Sequence, residues 1–203
     1  LSSFDHGYSN LIHRYKMRKK IILAITGASG SLYAVQFLKL MQHLDVEIHG
    51  IISDAGRLVL QHELGITPDD LNEYVVQWHA KGDFTAPMSS GSSKFDAMLV
   101  LPCTMGTLGA IANGIVKNLV HRAADVMLKE KKPLLLAVRE TPFNRIHMEN
   151  MLKVHDAGAV VCPPMPSFYH HPENLEEMAT FFAGRLADML GFEIEGLKRW
   201  QGI

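Results

Sequence analysis

Arg139-Glu140 places a permanent positive charge beside a carboxyl group, directly after the five apolar residues Leu134 to Val138. At a strand exit, such a pair holds an anion on the guanidinium and moves a proton on the carboxylate, unless the two side chains simply pair with each other. The apolar run behind them predicts that at least one is partly desolvated. Another loop, Pro163-Pro164-Met165-Pro166, stiffens the approach to Phe168-Tyr169-His170. The Tyr169 phenol there either donates to an anion, stacks on a ring or fills the core. Thr26-Gly27-Ala28-Ser29-Gly30 and Pro102-Cys103-Thr104-Met105-Gly106-Thr107 each lie between an apolar run and a helical stretch. Free backbone N–H groups at such turns suit a phosphate or a flavin edge. The first turn lacks the G-x-G-x-x-G spacing and its acidic ribose partner, which argues against a dinucleotide. Ser53 and Thr104 also sit where helix N-caps belong, a role that needs no ligand. Arg122, Asp125 and Lys129 share one helical face, either as a solvated ion-pair row or as part of a charged site, and Arg185 follows Ala183-Gly184 on the final helix.

These residues need a scaffold that gathers loop ends. Strands are predicted at Lys20 to Ile25, Val46 to Ile52, Ala97 to Leu101, Leu134 to Val138 and Ala159 to Cys162. Helices are predicted from Leu32 to His43, after Ser53-Asp54 through Leu64, from Thr104 to Ala112, Asn118 to Glu130, Ile146 to Ala157 and Asn174 to Leu190. Asp69-Asp70 opens a short capped helix, and Lys81-Gly82-Asp83 reads as a turn. The small-residue loop from Ala86 to Ser93 is expected to lie against another element. Alternating strands and helices predict an α/β domain with a parallel sheet and right-handed crossovers, whose ligand binds at the carboxyl ends of the strands.

With 203 residues, 47% of them hydrophobic and 20% charged, the chain suits one domain with a sizeable core. A net charge of -1 gives no reason to expect nucleic acid. Cys103 and Cys162 stand apart without metal-ligand spacing, the histidines are scattered, and a metal is not expected. No apolar run is long enough for a membrane span and no export signal is evident, so a cytoplasmic protein is expected. Residues 1–16 are polar and aperiodic, and Met17-Arg18-Lys19-Lys20 reads as a natural start; the expected domain covers residues 17–203 behind a poorly ordered extension.

From about Arg18 to Gly202 the chain resembles the UbiX-type flavin prenyltransferases, a family long described as aromatic-acid decarboxylases. The resemblance rests on Thr-Gly-Ala-Ser-Gly at 26–30, Ser-Ser-Gly-Ser at 89–92, Leu-Pro-Cys at 101–103, Arg-Ala-Ala-Asp-Val at 122–126, Leu-Lys-Glu at 128–130, Arg-Glu-Thr-Pro at 139–142 and Phe-Tyr-His at 168–170. It implies a Rossmann-like (flavodoxin-like) three-layer αβα subunit assembled into a dodecamer. FMN and dimethylallyl monophosphate are then bound between subunits, and prenylated FMN passes to a UbiD-type decarboxylase. By the same resemblance Gly27, Ala28, Ser29, Ser53, Thr104, Met105, Gly106, Thr107 and Arg139 contact FMN. Tyr169, Arg185, Lys129 and Ser90 hold the prenyl phosphate. Glu140 or the departing phosphate accepts the proton lost at C6, Ser29 relays protons near N5, and Arg122 joins the catalytic set. Both ubiquinone synthesis and aromatic-acid breakdown are compatible pathways, as are monophosphate and pyrophosphate donors. Rival readings are an FMN-dependent cysteine decarboxylase, a direct aromatic-acid decarboxylase and a non-catalytic flavin carrier.

Overall fold

The computed structural model describes residues 18–197, 199–200 and 202; the expected extension over residues 1–16 and the start at Met17 lie outside the described residues. Six parallel strands form one sheet in the order β3-β2-β1-β4-β5-β6. They are β1 (Lys19–Ile25), β2 (Val46–Ile52), β3 (Gln77–His79), β4 (Ala97–Cys103), β5 (Leu134–Val138) and β6 (Val160–Val161). The helices are α1 (Ser31–Met41), α2 (Asp54–Leu64), α3 (Met105–Ala112), α4 (Leu119–Lys129), α5 (Arg145–Asp156) and α6 (Leu175–Met189). This is a doubly wound, three-layer α/β fold of the Rossmann type.

Strand periodicity divides the core between two helical layers. Ile21, Leu23 and Ile25 of β1 pack toward α1 and α6, with Phe37, Leu38, Ala183 and Leu186. Ile22 and Ala24 point the other way, toward α3 and α4, with Leu108, Leu119 and Ala123. Every residue of β4 and β5 is buried, as covered parallel strands require. That burial explains why these strands read as unbroken apolar runs.

The sixth strand, β3, is a correction to the five expected. Gln77-Trp78-His79 carries no apolar run; it is an edge strand recruited by β2, with His49 opposite Gln77 and Ile51 opposite His79. Thr67 and Asp70 form the capping box of the expected short helix, which is a 3-10 segment over Pro68–Tyr74. The loop from Ala86 to Ser93 lies against α4 as expected. Arg122 Nε donates to the Ser89 carbonyl at 3.0 Å, and a Cβ on Gly91 would stand only 2.1 Å from Glu130 Oε1.

Candidate functional site

Strand order reverses between β1 and β4, and the crevice of an open α/β sheet forms at that switch point. Thr26, 3% exposed, fastens the two strand exits together. Its backbone N–H and Oγ1 both donate to the Pro102 carbonyl, at 3.2 and 2.7 Å, while Oγ1 accepts from the Thr104 N–H at 2.9 Å. On either side, the Ser53 N–H donates to Ile25 O and the Arg139 N–H to Cys103 O, each at 3.0 Å. Four successive strand exits are thereby laced into one rim carrying Gly27, Ala28, Ser29, Ser53, Thr104 to Thr107 and Arg139. Gly27 is obligatory in this rim, since a Cβ there would meet the Ala55 Cβ at 2.3 Å.

The helix ends on the rim differ in what already occupies them. Glu63, near the end of α2, accepts from the Gly30 N–H at 3.0 and 3.1 Å and from the Ser31 N–H at 2.8 Å. The amides at the start of α1, read from the sequence as free for a ligand, are therefore taken by a carboxylate. Burial tends to raise the pKa of Glu63, but the Ser29 hydroxyl and the Ser31 and Gly30 amides outweigh it and hold the group below its ordinary value. The site thus contains a Ser29–Glu63 pair that motif reading missed, because Glu63 is thirty-odd residues away on a helix without any signature. At α3, the Thr104 hydroxyl accepts from the Thr107 N–H at 3.1 Å and donates to Thr107 Oγ1 at 3.0 Å. The first two amides of α3, from Met105 and Gly106, cannot be satisfied within the helix, and a Cβ on Gly106 would meet only Thr104 Oγ1, at 4.0 Å. Ser53 caps α2, accepting from the Gly56 N–H at 2.9 Å. The capping roles of Ser53 and Thr104 are thus real, and both side chains still border the crevice.

Arg139 and Glu140 are both exposed, which corrects the expectation that one would be desolvated within the chain. The burial of β5 ends at Val138, and the two side chains emerge past the sheet edge. Neither pairs with the other among the described residues; the Glu140 carboxylate accepts from the Thr141 N–H at 3.0 Å. Arg139 projects its charge toward Tyr33 on α1, whose phenol proton is held more tightly because of burial, partly offset by that charge. Tyr33 in turn meets Phe182 of α6 edge-on, with ring centroids 5.3 Å apart.

On the α6 side, Tyr169 and Arg185 line one cleft of ≈ 260 Å³ together with Phe181, Asp188, Arg199 and Trp200. Tyr169 sits edge-on to Phe181 and to Trp200, each at 5.5 Å, so aromatic packing fixes its ring. Ser90, Arg122 and Lys129 are not brought to this cleft. They belong to the α4 layer on the opposite face of the sheet, where Arg122 Nη1 pairs with Asp125 at 2.8 Å and Lys129 pairs with Glu130. Lys129 ends α4 just ahead of β5, at the amino-terminal edge of the sheet, whereas the crevice lies at the carboxyl edge. Among the described residues, no three His, Cys, Asp or Glu side chains gather where a metal could be held, and no helix is long and apolar enough to cross a membrane.

A doubly wound subunit with amides and hydroxyls around its switch point defines a flavoprotein-type domain, and the family model described as Flavoprotein matches residues 10–181. The flavin prenyltransferase UbiX of Methanothermobacter thermautotrophicus is 48% identical over 187 residues, spanning 92% of this chain and 98% of its own length. A crystal structure of AnUbiX (PadA1) in complex with FMN and dimethylallyl pyrophosphate superposes with a TM-score of 0.89 at 38% identity, covering 92% of this chain and 99% of that one. The dodecameric FMN-dependent Ubix-like decarboxylase from Escherichia coli O157:H7 gives 0.87 at 38% identity, covering 90% and 100%. The chain belongs to the UbiX family of flavin prenyltransferases. The cysteine decarboxylase TvaF shares the fold alone, at 20% identity and a TM-score of 0.57.

Proposed function

We propose that this chain transfers a dimethylallyl group from dimethylallyl monophosphate to N5 and C6 of reduced FMN, and that it does so in the cytoplasm as a homo-oligomer, a dodecamer. The product serves a UbiD-type decarboxylase. The observation that carries this reading is the pairing of two unlike surfaces in one subunit: an amide- and hydroxyl-lined crevice at the switch point, and a cleft where Tyr169 and Arg185 meet.

The crevice fits a flavin mononucleotide through its open α3 amides and the exposed Arg139 guanidinium, both suited to a phosphate. Gly27, Ala28, Ser29, Ser53, Thr104, Met105, Gly106, Thr107 and Arg139 would hold it. Reduced FMN, when bound, supplies the nucleophilic positions to which the dimethylallyl group is joined. Breaking an allylic C–O bond leaves cationic character on the carbon fragment and negative charge on phosphate. Arg185 and Tyr169 stabilise the phosphate as that charge develops. Lys129 and Ser90 add to the same site from another subunit, because their own chain places them on the opposite face, and Arg122 holds the Ser89 to Ser92 loop in place for them. Ring closure consumes the allyl double bond, so one proton is added to the prenyl fragment as another leaves C6, and the Glu140 carboxylate, or the departing phosphate, accepts the proton from C6. The Ser29 hydroxyl relays protons near N5, with the Glu63 carboxylate as its hydrogen-bond partner.

The test is to incubate purified protein anaerobically with reduced FMN and dimethylallyl monophosphate and to determine the mass of the flavin. The reading predicts a flavin heavier by the prenyl fragment. Recovery of unmodified FMN alone would contradict it.

A further inference from the structure

Arg185 and Asp188 are three positions apart on α6, a spacing at which opposite charges ordinarily pair. They do not pair here. Asp188 Oδ1 is instead held by Arg199 Nη2 at 2.6 Å, and Arg185 makes no ion pair among the described residues, although all three side chains line the same cleft. Two contacts bring Arg199 to that position. Leu197 seats against Gly184, where a Cβ would stand 2.6 Å from Leu197 Cδ1. Beyond Arg199, the Trp200 ring meets Tyr169 edge-on at 5.5 Å and 83°.

We propose that Arg199 is a positioning residue for the prenyl phosphate: by occupying Asp188, it keeps the Arg185 guanidinium free for the anion. The inference rests on the reading of the Tyr169–Arg185 cleft as the donor site. Without Arg199, the Asp188 carboxylate turns to Arg185 and also repels an incoming phosphate, so two effects of one sign arise from one lost ion pair. Arg199 itself does not touch the donor. Gly184 acts one step earlier, as the notch that admits Leu197.

The experiment measures dimethylallyl monophosphate binding by calorimetry to the protein loaded with oxidised FMN, which cannot turn over. Arg199→Ala is expected to raise the donor Kd roughly three- to five-fold, the upper range of an exposed ion pair gained by the wrong partner. The double variant Arg199→Ala/Asp188→Asn should return to within about two-fold of the unaltered protein, and Asp188→Asn alone should bind at least as tightly as the unaltered protein. FMN affinity should be unchanged in all three, which separates this effect from a loss of fold. Normal donor binding by Arg199→Ala, or a double variant as weak as the single, would overturn the proposal. Weakened binding by Asp188→Asn, which is independent of how well the Arg199 variants fold, would overturn it too. No donor binding by the unaltered protein would instead overturn the reading of the cleft itself, and the inference with it.

Discussion

The Glu63 carboxylate occupies the start of α1, where an anion-binding turn would offer its amides to a ligand, and it touches Ser29 as well. Because its pKa is depressed by folding, Glu63 contributes stability that is fully present above its ordinary value of 4.5 and is lost as pH falls through the lower folded value. Urea midpoints recorded from pH 6 to pH 3 should therefore fall less steeply for Glu63→Gln than for the unaltered protein; parallel curves would remove Glu63 from this role. Glu140 is a different case, exposed and, among the described residues, held only by the Thr141 amide. Glu140→Gln is expected to bind FMN normally and to form product at least ten-fold more slowly, as loss of a general base does; full activity would exclude it from proton handling. Residues in contiguous motifs, such as Ser29 and Glu140, were legible in the sequence because strand exits announce them. Glu63 was not, since its partner amides come from the far side of β2. The exposure of Arg139 and Glu140 also escaped the sequence, because an apolar run reports burial of the strand itself and not of the side chains past its end.

At the scale of elements, the rim depends on Thr26, whose hydroxyl donates to the Pro102 carbonyl at one strand exit while accepting from the Thr104 N–H just past it. Thr26→Val keeps the shape and deletes both bonds, leaving the Thr104 N–H without its acceptor. A loss of about 1–3 kcal/mol in unfolding free energy is expected for a part-buried donor left unpaired, together with weaker FMN binding. Chemical denaturation of the flavin-free protein checks this, and a loss below about 0.5 kcal/mol would show that the lacing is not structural. Helices were legible because Ser53, Thr104, Asn118 and Asn174 are true N-caps, each accepting a backbone N–H in its first turn. The strand β3 was not legible. An edge strand buried mainly at His79 has no periodic signal, and its stability comes from pairing with β2.

For the whole molecule, the decisive feature is that one chain divides its charged residues between two faces. Tyr169 and Arg185 lie in the α6 layer, and Ser90, Arg122 and Lys129 in the α4 layer, with the sheet between them. Sequence order cannot reveal this separation, which comes only from the winding of helices on both sides of the sheet. If all five serve one site, that site is shared between neighbouring subunits, and closed symmetry then repeats it around the assembly. The measurement that tests this account most directly uses two variants, Arg185→Ala and Lys129→Ala, each purified alone and also co-expressed under different tags and isolated as mixed oligomers. Each alone is expected to form little prenylated FMN, whereas random mixing restores both residues at ~25% of sites, with activity in proportion. Mixed oligomers no more active than the two parents would contradict a site built across subunits.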